Sequence, residues 1–575
     1  MGRVKFTAGV LCFLALGVLG YAFYMQIILG PKFAERARAQ HEEHIELLPQ
    51  RGKIFDRNGV PLVTDEKAAS VYALPQYVAD IPKAAKILSK YGIGSSTIIE
   101  RNLRTRKSFF WLARKCDFEK SCKLKAELES EGLLNAINIE EEARRIYPWG
   151  EATGSIVGFV GGEHKGLAGI EFAMDSVLAG ELGWATYQRD ALGREHPTTA
   201  YPLKESVNGA DVTLTIDLDI QSIAYEELKS ACDSFKARRG YCVVMDPRNG
   251  EILAMVDYPD FSAQRFASYP KELWNVGVVT DEFEPGSVYK PVVAAICIED
   301  GLAKRSEYIP TGDGVIVQGR KISDIHGRAG FTFDEVFFLS SNIGTAKLAL
   351  RCGTTRFYEV SRLLGVGIPT GIGLPGEASG KLDPASKMTE LRLTNNAFGQ
   401  GLSLTTLQLA AIYSTFASGG VFHAPRLIKK IEQDERIVFQ SKDNVLRRVF
   451  SKETTEQIAE ILEKVVDEGT GTSARIKGIE ICGKTGTAEK SVPGVGYSAT
   501  LSTASFAGFL PRKEPKLLAV VVIDEPALGR FAGEIAAPCF KNIMERTLRL
   551  PKYQDIRIKA LEDQQSLAAS EGTAQ

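Results

Sequence analysis

An uncharged apolar stretch near the N-terminus constrains this chain more than any other feature of its sequence. From Phe6 to Leu29 the sequence FTAGVLCFLALGVLGYAFYMQIIL contains no charged residue. A helix of that length, rising about 1.5 Å per residue, crosses a hydrocarbon core of about 30 Å. We therefore predict one transmembrane helix over residues 6–29. The alternative is a cleaved signal peptide, but the run exceeds the usual apolar region of such peptides and no A-x-A-like site ends it.

The charges that flank this helix predict its orientation. Arg3 and Lys5 precede it, and positive charge favours the cytoplasmic side of a membrane. We therefore expect residues 1–5 in the cytoplasm and the body of the protein outside the cytoplasmic (inner) membrane. Three basic residues after the helix weaken this asymmetry: Lys32, Arg36 and Arg38.

Composition excludes several classes of function. The 575 residues include 70 Lys and Arg and 71 Asp and Glu, a net charge of −1, so no long-range field attracts a polyanion and we do not expect nucleic-acid binding. Hydrophobic residues at 44% and charged residues at 25% are typical of a folded chain. The nine cysteines form no C-x-x-C pair, and we expect no metal and no cofactor. Cys116 and Cys122 either form a local disulfide or remain free thiols.

The chain changes character twice after the apolar stretch. Residues 30–206 combine helical and extended patterns without a catalytic cluster, and they contain a hairpin signal over residues 54–63. We predict a non-catalytic, mixed α/β pedestal domain for this region. Residues 207–550 are predicted to form the catalytic domain. Residues 551–575 are rich in Gln, Ala, Ser and Glu, and we expect a disordered tail.

Five apolar segments of the second domain read as strands bracketed by helices. They are a hairpin over 241–245 and 251–256, IEIC ending at 482, and the segments 502–510 and 516–524. A strand and an amphipathic helix precede them from residue 211, and a final helix is expected over 534–548. This pattern indicates an α+β domain.

The first chemical motif is Ser287-x-x-Lys290, placed between Glu284-Pro285-Gly286 and an apolar run. The preceding breakers predict that a helix starts at Ser287, and positions three apart share a helix face. The Lys290 amine can then reach the Ser287 hydroxyl and activate it as a nucleophile, provided that the pKa of the amine is lowered. Ser268-x-x-Lys271 also fits, but Pro270 breaks its helix. An N-cap serine beside a solvated lysine is the alternative reading of Ser287.

Two further motifs follow in order. Ser340-x-Asn342 lies on a predicted turn between two helices, where both residues otherwise serve as caps; Ser206-x-Asn208 repeats the pattern in a linker. Lys484-Thr485-Gly486-Thr487 follows the strand IEIC, where small residues let a substrate backbone approach, or where a lysine protects a strand edge.

Two nucleotide-binding patterns are rejected. The segment 478–485 satisfies G-x-x-x-x-G-K-T, but no helix is predicted directly after it, as a P-loop requires. The segment 371–376 satisfies G-x-G-x-x-G without a preceding strand.

In this order the three motifs resemble the active site of penicillin-binding proteins and serine β-lactamases. FEPGSVYKP, FGQGLSLTTLQLA, SFAGFLP and VVVIDEP are similar to class B high-molecular-weight transpeptidases, and RGKIFDRNG and GLAGIEFAMD to their pedestal domain. SFFWLARK, EEEARRIYPWGE and GFVGGEHKGLAGIE resemble the septal, cell-division branch. The family usually has other residues at Val288 and Tyr289, and neither side chain carries the chemistry.

The resemblance implies a five-stranded antiparallel sheet flanked by helices, and a peptidoglycan D,D-transpeptidase that works through a serine acyl-enzyme and is inhibited by β-lactams. Ser287 would be the nucleophile, Lys290 its base, and Ser340 the proton carrier to the leaving group. Asn342 would hold the donor amide, and Lys484 would face the substrate carboxylate. The expected substrate-binding residues are Thr485, Gly486 and Thr487.

The implied partners are peptidoglycan stem peptides, a membrane peptidoglycan glycosyltransferase and other division proteins. Several alternatives stay open at this point. A D,D-carboxypeptidase, a β-lactam sensor or an elongation-type transpeptidase would carry the same motifs, and a catalytically idle division scaffold would share the fold.

Overall fold

A computed structural model describes residues 1–33, 42–162, 164–189, 195–196, 203–325, 327–492, 494 and 496–559. Its helices are α1 Gly2–Phe23, α2 Ile81–Lys90, α3 Ser96–Thr105, α4 Phe118–Ser130, α5 Gly154–Val157, α6 Gly169–Ala173, α7 Asp175–Leu178, α8 Leu218–Phe235, α9 Gly277–Thr280, α10 Lys290–Glu299, α11 Phe333–Phe338, α12 Asn342–Leu363, α13 Glu390–Ala397, α14 Thr406–Ala417, α15 Lys452–Asp467 and α16 Ala532–Thr547.

The strands are β1 Glu42–Leu47, β2 Ile54–Phe55, β3 Pro61–Ala73, β4 Phe110–Asp117, β5 Ile137–Ile146, β6 Gly183–Arg189, β7 Glu195–His196, β8 Leu203–Lys204, β9 Asp211–Leu214, β10 Ala237–Asp246, β11 Glu251–Tyr258, β12 Tyr308–Pro310, β13 Val315–Val317, β14 Arg320–Ile322, β15 Gly330–Thr332, β16 Val421–His423, β17 Ile428–Gln433, β18 Arg436–Gln440, β19 Val445–Arg448, β20 Cys482–Val492, β21 Gly496–Leu510 and β22 Leu517–Pro526.

One compact unit comprises Met1–Gly52 and Ala179–Gly209. Its apolar helix α1 continues in π-helical backbone over Tyr24–Ile28, and together they are long and apolar enough to cross a membrane. The unit also contains a small antiparallel sheet in the order β1-β6-β7, with β8 paired to β6. The apolar N-terminal helix expected from the sequence is therefore present.

The second unit comprises Lys53–Leu178 and Ala210–Gln575. A mixed sheet in it has the order β18-β17-β9-β2-β3-β4, with β5 also paired to β3. The hairpin expected over 54–63 is formed by β2 and β3, and Asp56 Oδ1 accepts the N–H groups of Asn58 and Val60, both at 2.8 Å, inside the turn. Because β2 pairs with β9, strands from both sides of residue 206 share this sheet, and the predicted boundary there stays a prediction.

The catalytic region is built on an antiparallel sheet in the order β11-β10-β22-β21-β20. These are the five strands expected from the sequence, and the α+β prediction is confirmed. One strand differs in position, since the segment expected to end at Cys482 instead begins there. Hydrophobic patterning misses the polar stretch KTGTAEKSV because β20 is an edge strand, which pairs with β21 on one side only and lacks the alternation of apolar and polar residues.

Both faces of this sheet are covered. Along β22, Leu518, Val520 and Val522 point into one apolar cluster, which contains α10 and α14. The alternate residues point into a second cluster, which contains α8 and α16. The period of two in a strand therefore produces a three-layer arrangement with β20 and the start of α10 at its edge.

The predicted disordered tail needs a correction at its beginning. Pro551–Tyr553 form a 3-10 turn and helical backbone continues to residue 559. Ile556 is buried, and Lys552 and Lys516 pair with Asp217 and Asp555 respectively. Composition missed this segment because one buried isoleucine and two ion pairs hold it; residues 560–575 lie outside the described residues.

Candidate active site

Ser287 lies in the short 3-10 turn Gly286–Tyr289, which leads directly into α10. Gly286 has φ of 62°, a conformation that favours glycine. Val288 and Tyr289 are buried, whereas Ser287 is partly exposed. Two buried neighbours thus anchor the turn, and it presents one hydroxyl group to the surface.

The Lys290 side chain is completely buried at the start of α10. Its Nζ donates to the backbone oxygen of Ser340 at 2.7 Å and to Ser340 Oγ at 3.1 Å. In the part of the chain that the structure describes, no hydrogen bond joins this amine to the Ser287 hydroxyl. Burial and the nearby charge of Lys484 hold the pKa of Lys290 well below its ordinary range, although Asp324 opposes them. Burial and Lys484 thus both favour the neutral form of an amine that lies one turn after Ser287.

Ser340 and Asn342 lie where α11 gives way to α12, the turn expected from the sequence. Ser340 has φ of 65°, and this left-handed backbone lets both its carbonyl and its hydroxyl face Lys290. Ser341 caps α12 by accepting the N–H of Gly344 at 2.9 Å. The cap reading therefore belongs to Ser341, which leaves Ser340 free to face the lysine.

Sequence reasoning missed the carboxylate that holds this turn. Asp324 accepts hydrogen bonds from Ser341 Oγ at 2.6 Å, from the Asn342 N–H at 2.6 Å and from the Ile343 N–H at 3.0 Å. It occupies the free N–H groups at the start of α12, where a negative charge is favourable. A single aspartate in a loop carries no local signal, so only the folded chain identifies it.

Lys484 is the second fully buried lysine of the site. It lies near the start of β20, and its Nζ donates to the backbone oxygen of Thr485 at 3.1 Å. Burial lowers the pKa of Lys484 to about 7. Its ammonium charge is thus maintained only against a desolvation cost, which a bound carboxylate would offset.

Gly486 and Thr487 join β20 to the elements around it. A Cβ on Gly486 would lie 2.8 Å from Pro285 O and 2.9 Å from Val288 Cγ1, so only glycine lets the strand lie against the Ser287 turn. Thr487 Oγ1 accepts the N–H of Ala532 at the start of α16 at 3.0 Å. The hydroxyl of Thr487 is thus already used as an acceptor, and the substrate-donor role expected for it stays a prediction.

Thr485 has a partner that the sequence did not indicate. Its Oγ1 lies 2.5 Å from Thr470 Oγ1, on the loop that follows α15. Thr485 is buried, and its hydroxyl also lies 3.5 Å from the Lys484 amine. If Thr470 Oγ1 and Lys484 Nζ both donate to Thr485 Oγ1, the hydroxyl proton of Thr485 is directed toward a ligand.

Comparison with known proteins identifies the family. The family model described as the penicillin binding protein transpeptidase domain matches residues 240–545, and that of the penicillin-binding protein dimerisation domain matches residues 46–214. The chain belongs to the penicillin-binding proteins. Their class B members include the relatives described next.

Stage V sporulation protein D of Bacillus subtilis is 32% identical, over 94% of this chain and 84% of that protein. Peptidoglycan D,D-transpeptidase FtsI of Escherichia coli K12 is 30% identical, over 92% and 89%. The crystal structure of penicillin-binding protein 3 from Mycobacterium tuberculosis in complex with aztreonam has a TM-score of 0.69 and 27% identity, covering 88% of this chain and 97% of that one. This penicillin-binding protein is accordingly a class B member with a transpeptidase domain.

The second copies of the motifs and the P-loop pattern, all noted in the sequence, lie elsewhere in this penicillin-binding protein. Ser268 Oγ donates to Arg265 O, and Lys271 lies over the Trp274 ring at 5.8 Å, so that pair is not a site. Asn208 accepts the Gln50 N–H at 2.9 Å in the other compact unit. The P-loop pattern runs into β20 rather than a helix.

No cluster of three or more metal-ligating side chains is found among the described residues. Cys116 and Cys122 are free thiols, and no sulfur contact joins them in the described part of the chain.

Proposed function

We propose that this transpeptidase works through an acyl-enzyme on Ser287, with Lys290 as the base. The observation that carries this is the buried Lys290 amine, which lies one turn after the partly exposed Ser287 and within hydrogen-bond distance of Ser340. A serine hydroxyl needs a base that is neutral at working pH, and burial beside a second lysine lowers the pKa of Lys290 in that direction.

The acylation step uses the three motifs together. Ser287 Oγ attacks the carbonyl carbon of the penultimate D-alanine, and its proton passes to Lys290. The C–N bond then breaks, and the proton reaches the nitrogen of the departing D-alanine through Ser340 Oγ, 3.1 Å from Lys290 Nζ. A β-lactam follows the same attack, but its leaving nitrogen stays tethered, so the acyl-enzyme persists.

The free edge of β20 is suited to hold the donor peptide. β20 is the last strand of its sheet, and an extended peptide can add to such an edge through backbone hydrogen bonds. Lys484 and the hydroxyl of Thr485 would face its terminal carboxylate, and Asn342 its amide. The N–H groups of Ser287 and Thr487 would donate hydrogen bonds to the oxyanion. Each such donor stabilises the transition state by about 3–4 kcal/mol in a preorganised site.

The second half-reaction distinguishes a transpeptidase from a hydrolase. An amine of a second stem peptide attacks the ester carbon and gives up a proton to Lys290. The C–O bond to Ser287 breaks as the new amide forms, and Lys290 passes that proton to Ser287 Oγ. Incubating the purified protein with a D-alanyl-D-alanine stem peptide, with and without an amine acceptor, should yield cross-linked product only with the acceptor. Release of D-alanine alone, with no cross-link, would indicate a carboxypeptidase.

Labelling with fluorescent penicillin tests the nucleophile. The wild-type protein should carry the label on the peptide that contains Ser287, and Ser287→Ala should carry none. Ser268→Ala is the matched control, since Ser268 begins the other Ser-x-x-Lys match. Labelling of Ser287→Ala at the normal rate would refute the proposal.

We also propose that α1 anchors the protein in the cytoplasmic membrane with its catalytic part outside. Arg3 and Lys5 before the helix support this orientation. A membrane-impermeant penicillin probe should therefore label the protein in cells whose outer layer, where present, has been opened. Labelling only after the cytoplasmic membrane is disrupted would contradict it.

The cellular role that we propose is septal peptidoglycan synthesis, together with a membrane glycosyltransferase and other division proteins. The similarity to FtsI and the motifs that resemble the septal branch support it. Depletion should block division and give filaments, with a fluorescent fusion at the division site. Loss of rod shape would indicate elongation instead, and a defect confined to spores would match the other relative.

A further inference from the structure

Two cysteines touch in the core of the catalytic region. Cys297 Sγ and Cys352 Sγ are 3.5 Å apart. Cys297 is fully buried and Cys352 is 8% exposed. Both are free thiols in the structure, and theirs is the one sulfur–sulfur contact seen between cysteines within the described ranges.

The two cysteines join the helices that carry the catalytic motifs. Cys297 lies on α10, which begins with Lys290, and Cys352 lies on α12, which begins with Asn342. Gly353 has φ of 73° and interrupts α12 directly after Cys352. The cysteine contact is therefore at the far end of the helical segment that begins two residues after Ser340, the partner of Lys290.

A second contact fixes how these helices lie against each other. The Arg356 guanidinium binds Asp300 through two hydrogen bonds of 2.8 Å. Asp300 directly follows α10, three residues after Cys297, and Arg356 lies four residues after Cys352, beyond the break at Gly353. A bidentate ion pair thus joins the same two chain segments close to the sulfurs.

We propose that Cys297 and Cys352 form a disulfide in the mature protein, which ties α10 to α12. A disulfide bond requires the sulfurs to come about 1.5 Å closer than they are in the dithiol form. This inference rests on the extracytoplasmic location in the proposed function, because such bonds persist in oxidising compartments.

The oxidation balances as a thiol–disulfide exchange. The two thiols release two protons and two electrons, one S–S bond forms, and the disulfide of an extracytoplasmic thiol–disulfide oxidoreductase is reduced to two thiols. Hydrogen bonding to Cys352 and burial raise the pKa of Cys297 far above its usual range. Since the thiolate is the reactive form, exchange in the folded protein is slow, and the bond forms while the chain is folding.

Consecutive position in the sequence favours this pairing. Along the chain, no cysteine lies between residues 297 and 352, so these two thiols emerge in succession during export. The bond would close the loop between them and restrict the unfolded chain, which stabilises the folded domain. It would also limit separation of α10 from α12, and hence of Lys290 from Ser340.

Thiol alkylation of the full-length protein tests the bond directly. Membranes from expressing cells are denatured and treated with a maleimide of large mass, with or without prior reduction. The wild-type protein should gain two more labels after reduction than before it, and mass spectrometry should find one linked peptide pair containing Cys297 and Cys352. Cys297→Ala should remove that difference, whereas Cys482→Ala, the loss of another buried cysteine, should keep it.

A stability measurement separates the bond from simple packing. Reductant should lower the melting temperature of wild type and of Cys482→Ala, by roughly 5 °C. It should leave that of Cys297→Ala/Cys352→Ala unchanged. Equal labelling before and after reduction, in cells where the impermeant penicillin probe marks the protein as external, would overturn the inference.

If that probe shows the protein to be internal, the proposed location fails, and refolding of the denatured, reduced full chain in detergent with oxidised glutathione decides the pairing alone. Formation of the 297–352 link supports the pairing, and its absence refutes it.

Discussion

Two regions of this penicillin-binding protein bury like charges, one with lysines and one with aspartates. Lys290 and Lys484 are fully buried at the edge of the five-stranded sheet. Asp257 and Asp260, at the end of β11, are 6% and 5% exposed. In both pairs burial moves the pKa values toward the neutral forms, downward for the lysines and upward for the aspartates.

The two regions differ in what surrounds the charges. The Asp260 carboxylate accepts from the N–H groups of Ser155 and Phe261, and Asp257 accepts from Val278 N–H at 2.8 Å. These contacts join chain segments to each other. The lysines instead lie beside a partly exposed hydroxyl and a free strand edge. A perturbed pKa by itself therefore does not mark a catalytic site; a nucleophile and room for a substrate do.

Replacing Lys290 should have the largest effect. Lys290→Ala removes the proposed base, and Lys290→Arg keeps a charge that cannot be lost at working pH, so both should slow acylation by penicillin by roughly 10²- to 10⁴-fold. The rate of covalent labelling measures this. Lys271→Ala is the matched control and should acylate normally. An unchanged rate for Lys290→Ala would mean that the catalytic base is another group.

Lys484→Ala should reduce acylation by roughly 10- to 100-fold, because the proposed charged contact to the substrate carboxylate is lost. The same substitution should also shift the pH profile of the acylation rate. Lys484 is one of the causes that lower the pKa of Lys290, so its removal raises that pKa, and the rise of activity with pH should shift to higher pH. Lys490→Ala, on the same strand, should leave the profile in place. A profile that does not move would contradict the coupling of the two lysines.

Asp324→Asn should shift the same profile in the opposite direction. Asp324 raises the pKa of Lys290, so loss of its charge lowers that pKa, and activity should appear at lower pH. The amide can still accept the two N–H groups at the start of α12, so the rate at the optimum should fall by only about 2- to 10-fold. Asp313→Asn, in an exposed loop, is the control. A shift to higher pH would refute the assigned sign.

Asp257→Asn should have the smallest effect, and on stability rather than on catalysis. Burial raises the pKa of Asp257 to about 7, above the value of about 3.9 expected in the unfolded chain. The folded protein thus holds this proton more tightly, and stability falls as pH rises from about 4 to about 7. Asparagine does not titrate. The free energy of unfolding of the variant, relative to that of wild type, should therefore rise by about 1–3 kcal/mol between pH 5 and pH 8.

Thermal unfolding at the two pH values checks this, with acylation by penicillin as the measure of an intact site. Asp313→Asn should show no such gain. A variant that loses stability equally at both pH values would show that Asp257 is needed for its hydrogen bond alone.

The sequence predicted where the motif residues lie in the fold because the motifs depend on short-range spacing. Ser287 and Lys290 are one helical turn apart, and breakers before an apolar run mark where that helix starts. The sequence also placed Ser340 and Asn342 on the turn between α11 and α12, because local patterns mark where one helix ends and the next begins. The strand β20 was misplaced because this edge strand lacks the alternation on which the prediction relied.

The sequence by itself determined which residues could do the chemistry, since hydroxyl, amine and amide groups are recognised by their type and local order. Only the tertiary structure decided how they act on each other. The low proton affinity of Lys290 arises from burial and from Lys484. Asp324 and Thr470 hold Asn342 and Thr485, which lie more than a dozen residues away in the chain. Such electrostatic and packing effects depend on distance in space, which folding sets and local sequence does not encode.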